Sequence, residues 1–246
     1  ISISKSFMTK LHYRVTLWAS CLLLMLGTAS QAQINLTAAG SVYTQNFDAA
    51  TDFTSVQWTS FDVNADAAAC TAAGSGKWDI SGPPCQLATN AARGGTGKAA
   101  FYGFSTPNAA NDWIFTPSFS LAANKPYKFI YYYRNSGANY PEKMKAMVTS
   151  GSTPTTAIGG VPASAPVKDY PNIASTAYLK DSIMFTPTAA GTFYIAFKAE
   201  SVADRFFIGI DDFSAQNLDV PANDVAVTAI TTTTTCLLYT SPSPRD

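Results

Sequence analysis

The stretch Arg205–Asn217, RFFIGIDDFSAQN, decides the fold class. Phe206, Phe207, Ile208 and Ile210 have the aromatic and β-branched character of a buried β-strand. Neighbouring side chains of a strand point to opposite faces, so Asp211 and Asp212 cannot both face bulk water if both faces are covered. An unpaired buried carboxylate costs several kcal/mol, so something must neutralise it.

Working outward, short runs of the same character recur along the chain, bounded by Gly, Pro, Asn and Ser. They are SVYTQNF (41–47), VQWTSFDV (56–63), GKWDIS (76–81), KAAFYGF (98–104), DWIFTPSFSL (112–121), PYKFIYYYRN (126–135), EKMKAMVTSG (142–151), YLKDSIMFTP (178–187) and GTFYIAFKAE (191–200). Alternation places Phe129, Tyr131 and Tyr133 on one face, and likewise Phe193, Ile195 and Phe197. No segment of about a dozen residues holds a helical period. The pattern predicts an all-β chain in which two antiparallel sheets pack face to face, a jelly-roll β-sandwich. Residues 152–175, with Pro154, Pro162, Pro166 and Pro171, read as a long exposed loop, either a binding element or a spacer.

Both ends read differently. Residues 1–7 look like translated upstream sequence. From Met8 the chain has Lys10 and Arg14, then the apolar run LWASCLLLMLG (17–27), then TASQAQ. This is the layout of a signal peptide over 8–32, cleaved after Ala32. The alternative, a membrane anchor, needs an apolar run of about 18 to 20 residues, and this one is shorter. A lipoprotein signal would place a Cys at the cleavage site, whereas Cys21 lies within the apolar run. Residues 33–218 form the expected domain. Residues 219–235 read as a linker and the first strand of a following domain, and Cys236–Asp246, CLLYTSPSPRD, as adapter-derived sequence. Without the two ends the charge is mildly negative and no basic stripe stands out, which argues against a nucleic-acid partner. No second apolar run is long enough for a membrane span.

The residues that are missing exclude several chemistries. The only histidine, His12, lies in the signal segment. Residues 33–218 therefore cannot build a Ser-His-Asp or Cys-His arrangement, or a histidine-ligated metal site. Paired carboxylates remain as a catalytic strategy, but Glu142 and Glu200 are the only glutamates and neither sits in a tight acidic cluster. The expectation is a non-enzyme. Cys70 and Cys85 are expected to form one disulfide across a Gly- and Pro-rich loop. Closing about 15 residues in this way is worth roughly 3 kcal/mol in the chain-entropy model. A reactive thiol pair is the alternative, at a spacing far from C-x-x-C.

Three blocks in order resemble one family. They are YTQNFDAA (43–50), NDWIFTPSFSLAANKPYKFIYYYRN (111–135) and GTFYIAFKAESVADRFFIGIDDFS (191–214). Together they resemble the choice-of-anchor J and cleaved-adhesin domains, MAM-like jelly rolls of secreted bacterial surface proteins, over about Ser41 to Asn217. The run NDVAVTAI (223–230) resembles the start of further domains in proteins exported by type IX secretion. The resemblance implies a non-catalytic module for cell adhesion, at the cell surface or secreted, whose partners are extracellular protein or glycan and further domains of the same chain. It also implies structural Ca²⁺. Asp48 matches the family's early acidic position, Asp211 or Asp212 the closing-strand aspartate, and Asp112 lies in the N-D-W block. Calcium wants 6 to 8 oxygens, which carboxylates, carbonyls and water supply. The alternative is that the doublet accepts backbone N–H groups or pairs with Arg205 or Lys198. The turn DVNADAAA (62–69) has a D-x-x-x-D spacing without the usual glycine and reads as a second, weak ion site.

Aromatic residues raise carbohydrate binding. Trp58, Trp78, Trp113, Tyr131, Tyr132 and Tyr133 are candidates for a sugar-stacking platform, and about half of an alternating set must be core. Tyr132, out of phase with its neighbours, is the ligand-binding candidate on the outer face. Two other readings stay open: an accessory domain of an exported protease or glycoside hydrolase, and a structural spacer.

Overall fold

Alternating apolar residues in short runs, broken by turn formers, can bury one face only by pairing into sheets and stacking them. The computed structural model describes residues 32–68, 74–81, 92–95, 97–162 and 165–220, and shows that arrangement. Its strands are β1 (Ile34–Asn35), β2 (Val42–Gln45), β3 (Thr59–Asp62), β4 (Gly74–Ser81), β5 (Ala99–Ser105), β6 (Asp112–Phe115) and β7 (Phe119–Leu121). They continue with β8 (Tyr127–Arg134), β9 (Glu142–Thr149), β10 (Val167–Ile173), β11 (Leu179–Phe185), β12 (Gly191–Ala199) and β13 (Phe207–Asn217). One short helix, α1 (Pro154–Gly159), and a 3₁₀ turn at Thr54–Val56 complete the elements.

Two long strands organise the two sheets. In the seven-stranded sheet, β12 pairs with β9 on one edge. On its other edge it pairs first with β7, through Gly191–Phe193, and then with β6, through Ala196–Ala199. In the six-stranded sheet, β13 pairs with β8 on one edge. Its other edge takes β5 through Phe207–Ile210, then β2 through Phe213–Gln216. Strands β3 and β10 lie beyond β6 and β9, and β4 and β11 beyond β5 and β8. All pairings are antiparallel except β1 with β7.

The inner faces meet in an aromatic core. Trp58 is buried, with ring centroids 5.1 Å from Phe47, 5.4 Å from Phe213 and 6.4 Å from Phe197. Phe129, Tyr131, Ile195 and Phe197 are fully buried, while Tyr133 and Phe193 are partly buried against the same core, as the alternation predicts. Trp58, Trp78, Trp113 and Tyr131 are all core residues, which removes them from any surface platform.

The structure corrects the reading of residues 152–175 as loop. Thr153 caps α1, its side chain and that of Thr156 forming a reciprocal capping box, with Pro154 in the first turn. Ala157 of α1 packs with Trp113, Phe115, Met147 and Ala196 on the outer face of the seven-stranded sheet. Strand β10 follows, with Pro171 inside it. The pairing of β10 with β9 slips between Tyr170 and Ile173, so the proline sits at a bulge of an edge strand, where its missing N–H costs no ladder bond. Cys70, Cys85, the segment before Ala32 and everything after Val220 lie outside the described residues, as do the readings made of them.

At one side the two sheets are tied by polar groups. The Tyr131 and Tyr170 hydroxyls are 2.5 Å apart, and Tyr170 donates to Asp181 at 2.7 Å. Lys168 reaches the same carboxylate at 3.1 Å. Tyr170→Phe removes the group between the sheets and is expected to cost about 1–2 kcal/mol. Trp58→Ala, which empties the core centre, should cost about 3–5 kcal/mol. Urea denaturation at unchanged m-value reads both.

Candidate functional site

The aspartate doublet lies where β13 changes partner. Ile208 and Ile210 point into the core, as do Phe213 and Ala215. That phase needs one extra residue between them. The register against β8 slips between Asp211 and Ser214, and Asp212 takes a positive φ of 45°. This is a β-bulge, and it resets the alternation so that neither aspartate enters the core.

Asp211, opposite Tyr132, is buried on the outer face of the six-stranded sheet. One carboxylate oxygen accepts the backbone N–H of Arg93 at 2.8 Å, the other that of Asp212 at 2.8 Å. Asp212 is ion-paired to the Arg93 guanidinium. That guanidinium lies 3.9 Å over the Tyr132 ring, with Lys180 Nζ 5.8 Å from the same ring. Tyr132 is therefore on the outer face, as its phase predicts, but Arg93 covers a face of its ring where a sugar would stack. Asp48 approaches from after β2. It accepts from Asn46 Nδ2 at 3.0 Å and from the Lys98 N–H at 3.2 Å. Gly97, at φ +90°, makes room for it, since a Cβ there would collide with the Asp48 carboxylate.

The doublet is thus held by N–H groups and Arg93, the alternative open in the sequence, with Arg93 in place of Arg205 or Lys198. A divalent cation at Asp212 would compete with the Arg93 guanidinium for its carboxylate. Burial pushes the Asp211 carboxyl up to about 7, against hydrogen bonds that lower it, with the charges of Asp212 and Asp48 adding to the rise.

Asp112 belongs elsewhere. It pairs in register with Asp62 across β6 and β3, in the other sheet from the doublet. With Asp66 from the following turn, these three bring carboxylate oxygens within 4.8 Å of one another. The expected set of Asp48, Asp112, Asp211 and Asp212 is therefore split between two places.

The two glutamates differ. Glu142 is buried, with one carboxylate oxygen accepting the Phe206 N–H at 2.7 Å and the other without a hydrogen-bond partner, and burial raises its pKa. Glu200 is bridged by Lys145 at 2.9 Å and Lys198 at 2.6 Å. Burial raises the Glu200 pKa, but these two hydrogen bonds outweigh it and hold the group below its usual value.

A feature the sequence did not signal lies where β12 changes partner. In the gap between β6 and β7, Thr116 N–H donates to Ile195 O at 3.0 Å and Thr116 Oγ1 accepts the Ile195 N–H at 3.0 Å. Beside this stitch is a cleft of about 470 Å³, lined by Gln33, Thr59, Phe61, Thr116, Ser118, Ser152, Thr153 and Tyr194. It holds two half-buried aromatic rings, five Ser or Thr side chains, one amide, and no charged residue. A second cleft, of about 420 Å³, lies at the β13 switch between Thr44, Gln45, Asn46, Asp212, Phe213 and Ser214.

Among solved structures, the K1 cleaved adhesin domain of Lys-gingipain from Porphyromonas gingivalis W83 aligns over 72% of this chain and 99% of its own, at 14% identity and TM-score 0.51. The fold is cleaved-adhesin-like. The K3 cleaved adhesin domain of Lys-gingipain aligns over 72% and 99%, at 16% identity and TM-score 0.49. The CBM22-1 xylan-binding domain from Paenibacillus barcinonensis aligns over 78% and 100%, at 13% and 0.40. At these identities the likeness is one of fold. No family model matches the chain, and no curated protein matches it.

The raised Asp211 pKa has a sign. The folded state holds a proton that the unfolded state has released between pH about 4 and 7, so Asp211 contributes stability at low pH that is lost as pH rises through about 7. The difference in unfolding free energy between wild type and Asp211→Asn is therefore expected to shift against wild type from pH 4 to pH 8 in paired urea titrations. Gly97→Ala should destabilise by about 1–3 kcal/mol, from positive φ and the collision with Asp48.

Proposed function

We propose that this domain is a non-catalytic extracellular binding module that takes neutral glycan in the cleft at the β12 switch. One observation carries it: the uncharged cleft between Phe61 and Tyr194, rimmed by hydroxyls and the Gln33 amide. Sugars present apolar C–H faces and a ring of hydroxyls, and such a lining offers rings for the first and hydrogen-bonding partners for the second. The cleft lies within the ordinary range of small-molecule sites, about 300–1,000 Å³.

Three further points support it. Residues 33–218 have no histidine, and Glu200 is bridged by Lys145 and Lys198. No helix among the described residues is long and apolar enough to cross a membrane. The signal-like segment over 8–32 fits export to the surface or medium, where protein-bound and matrix glycans are available.

Screening the full chain on a glycan array, followed by calorimetry on the best hit, tests this. Tyr194→Ala is expected to weaken binding about tenfold, and Tyr132→Ala, whose ring is already covered by Arg93, to leave it unchanged. Binding that survives Tyr194→Ala and Phe61→Ala together would refute the cleft as the site.

A further inference from the structure

The glycan cleft at Tyr194 does not stand alone. Gln33 lines it and also lines another cleft, of about 420 Å³, on the flank where β1 of one sheet and β2 of the other come together. Gln45 lines that flank cleft and also the cleft at the β13 switch. The three therefore follow one another from Tyr194, over the β1 and β2 edges, to Ser214, with one shared residue joining each to the next. Each is by itself the size of a small-ligand site. In succession they make a groove suited to a chain of units.

The flank is lined for the same class of ligand as the cleft at Tyr194. Three glutamine amides mark it: Gln33, Gln57 and Gln45. Gln33 donates from Nε2 to Thr192 Oγ1 at 2.7 Å, which leaves its amide oxygen to accept. The Tyr43 hydroxyl accepts the Trp58 indole N–H at 3.4 Å and lies 3.5 Å from Gln45 Oε1, which leaves the Gln45 amide nitrogen to donate. Gln57 ends the 3₁₀ turn at φ 61°, a left-handed conformation uncommon for a residue with a side chain. A primary amide both donates and accepts, as a sugar hydroxyl does, so a row of amides matches a row of hydroxyls without calling for charge. Tyr43 gives this cleft a half-buried ring, as Phe61 and Tyr194 do the first. Among the described lining residues of the three clefts the one charged group, Asp212 at the far end, is ion-paired to Arg93.

We infer that the ligand is a linear neutral glycan several sugar units long, laid from the Tyr194 cleft round the flank past Gln33, Gln57 and Gln45. This rests on the reading of the Tyr194 cleft as a glycan site and adds the length and path of the glycan. The loss of rigid-body freedom on association is incurred once for the whole chain, so each further cleft that is filled adds to affinity. A single sugar or a disaccharide reaches one cleft only, and a longer chain reaches the amides of the flank.

End-labelled oligosaccharides of two to six units, from the β-1,4-glucan, β-1,4-mannan, β-1,3-glucan and α-1,4-glucan series, titrated with the full chain by fluorescence anisotropy, test this. In at least one series affinity should rise about tenfold or more from two units to six. Gln45→Ala combined with Gln57→Ala should flatten that rise, whereas Tyr194→Ala should weaken every length. Circular dichroism checks that the variants fold, and the two single glutamine variants, each expected to lower hexasaccharide affinity about fivefold, serve if the combined one does not. Binding that needs Tyr194 but is as tight for two units as for six leaves the cleft reading standing and overturns the long chain. A rise with length that survives loss of both glutamines overturns the path round the flank. Failure of all four series to bind removes the glycan reading and this inference together.

Discussion

A long strand that runs past the end of one neighbour and onto the next leaves a gap in its hydrogen-bond ladder, and the sandwich depends on how that gap is closed. Backbone groups at the junction are buried or nearly so and must find partners. In β12 the Thr116 hydroxyl and N–H reach the peptide groups of Ile195. In β13 the junction is a bulge, where Asp211 accepts the N–H of the residue after it and that of Arg93. Different chemistry serves the same geometric need in the two sheets. Both gaps also open outward as clefts, because two successive edge strands cannot fill the surface that one continuous strand would cover.

Charge in this molecule is handled by position. At the β13 junction a carboxylate pair sits under an arginine that itself lies on an aromatic ring, so charge, hydrogen bonds and cation–π attraction converge. At the β3–β6 end three carboxylates converge, and among the described residues no lysine or arginine forms an ion pair with them. Isolated surface charges cost little, but enclosed ones must be compensated. The first cluster is self-contained, whereas the second leaves one oxygen of Asp112 and both of Asp66 without a hydrogen-bond partner.

The relation of clefts to sheets also explains why tyrosine at position 132 and tyrosine at position 194 differ in what they offer. Both are half-buried rings on outer sheet faces. Tyr132 lies beneath a loop that brings Arg93 across it. Tyr194 lies at the open junction between β6 and β7, with hydroxyl side chains around it. Composition and strand phase are alike for the two, and only the surrounding chain distinguishes them.

The β-sandwich and nearly all of its strands were legible in residue type and period, because burial on a pleated sheet selects aromatic and β-branched residues every second position. The one strand read as loop, β10, was hidden by Pro171, since nothing local shows that a proline will fall at an edge bulge. The outward placement of Tyr132 followed from phase alone. Which aspartates share a site did not. Asp112 and Asp62 are 50 positions apart, and only antiparallel pairing sets them side by side, while the bulge at Asp212 overturns the simple alternation that would have sent one of the doublet inward. Sequence determines which residues can be buried and in what rhythm. Strand pairing, register slips and the loops laid across the sheets decide which charges meet and which rings stay open, because those depend on contacts between segments far apart along the chain.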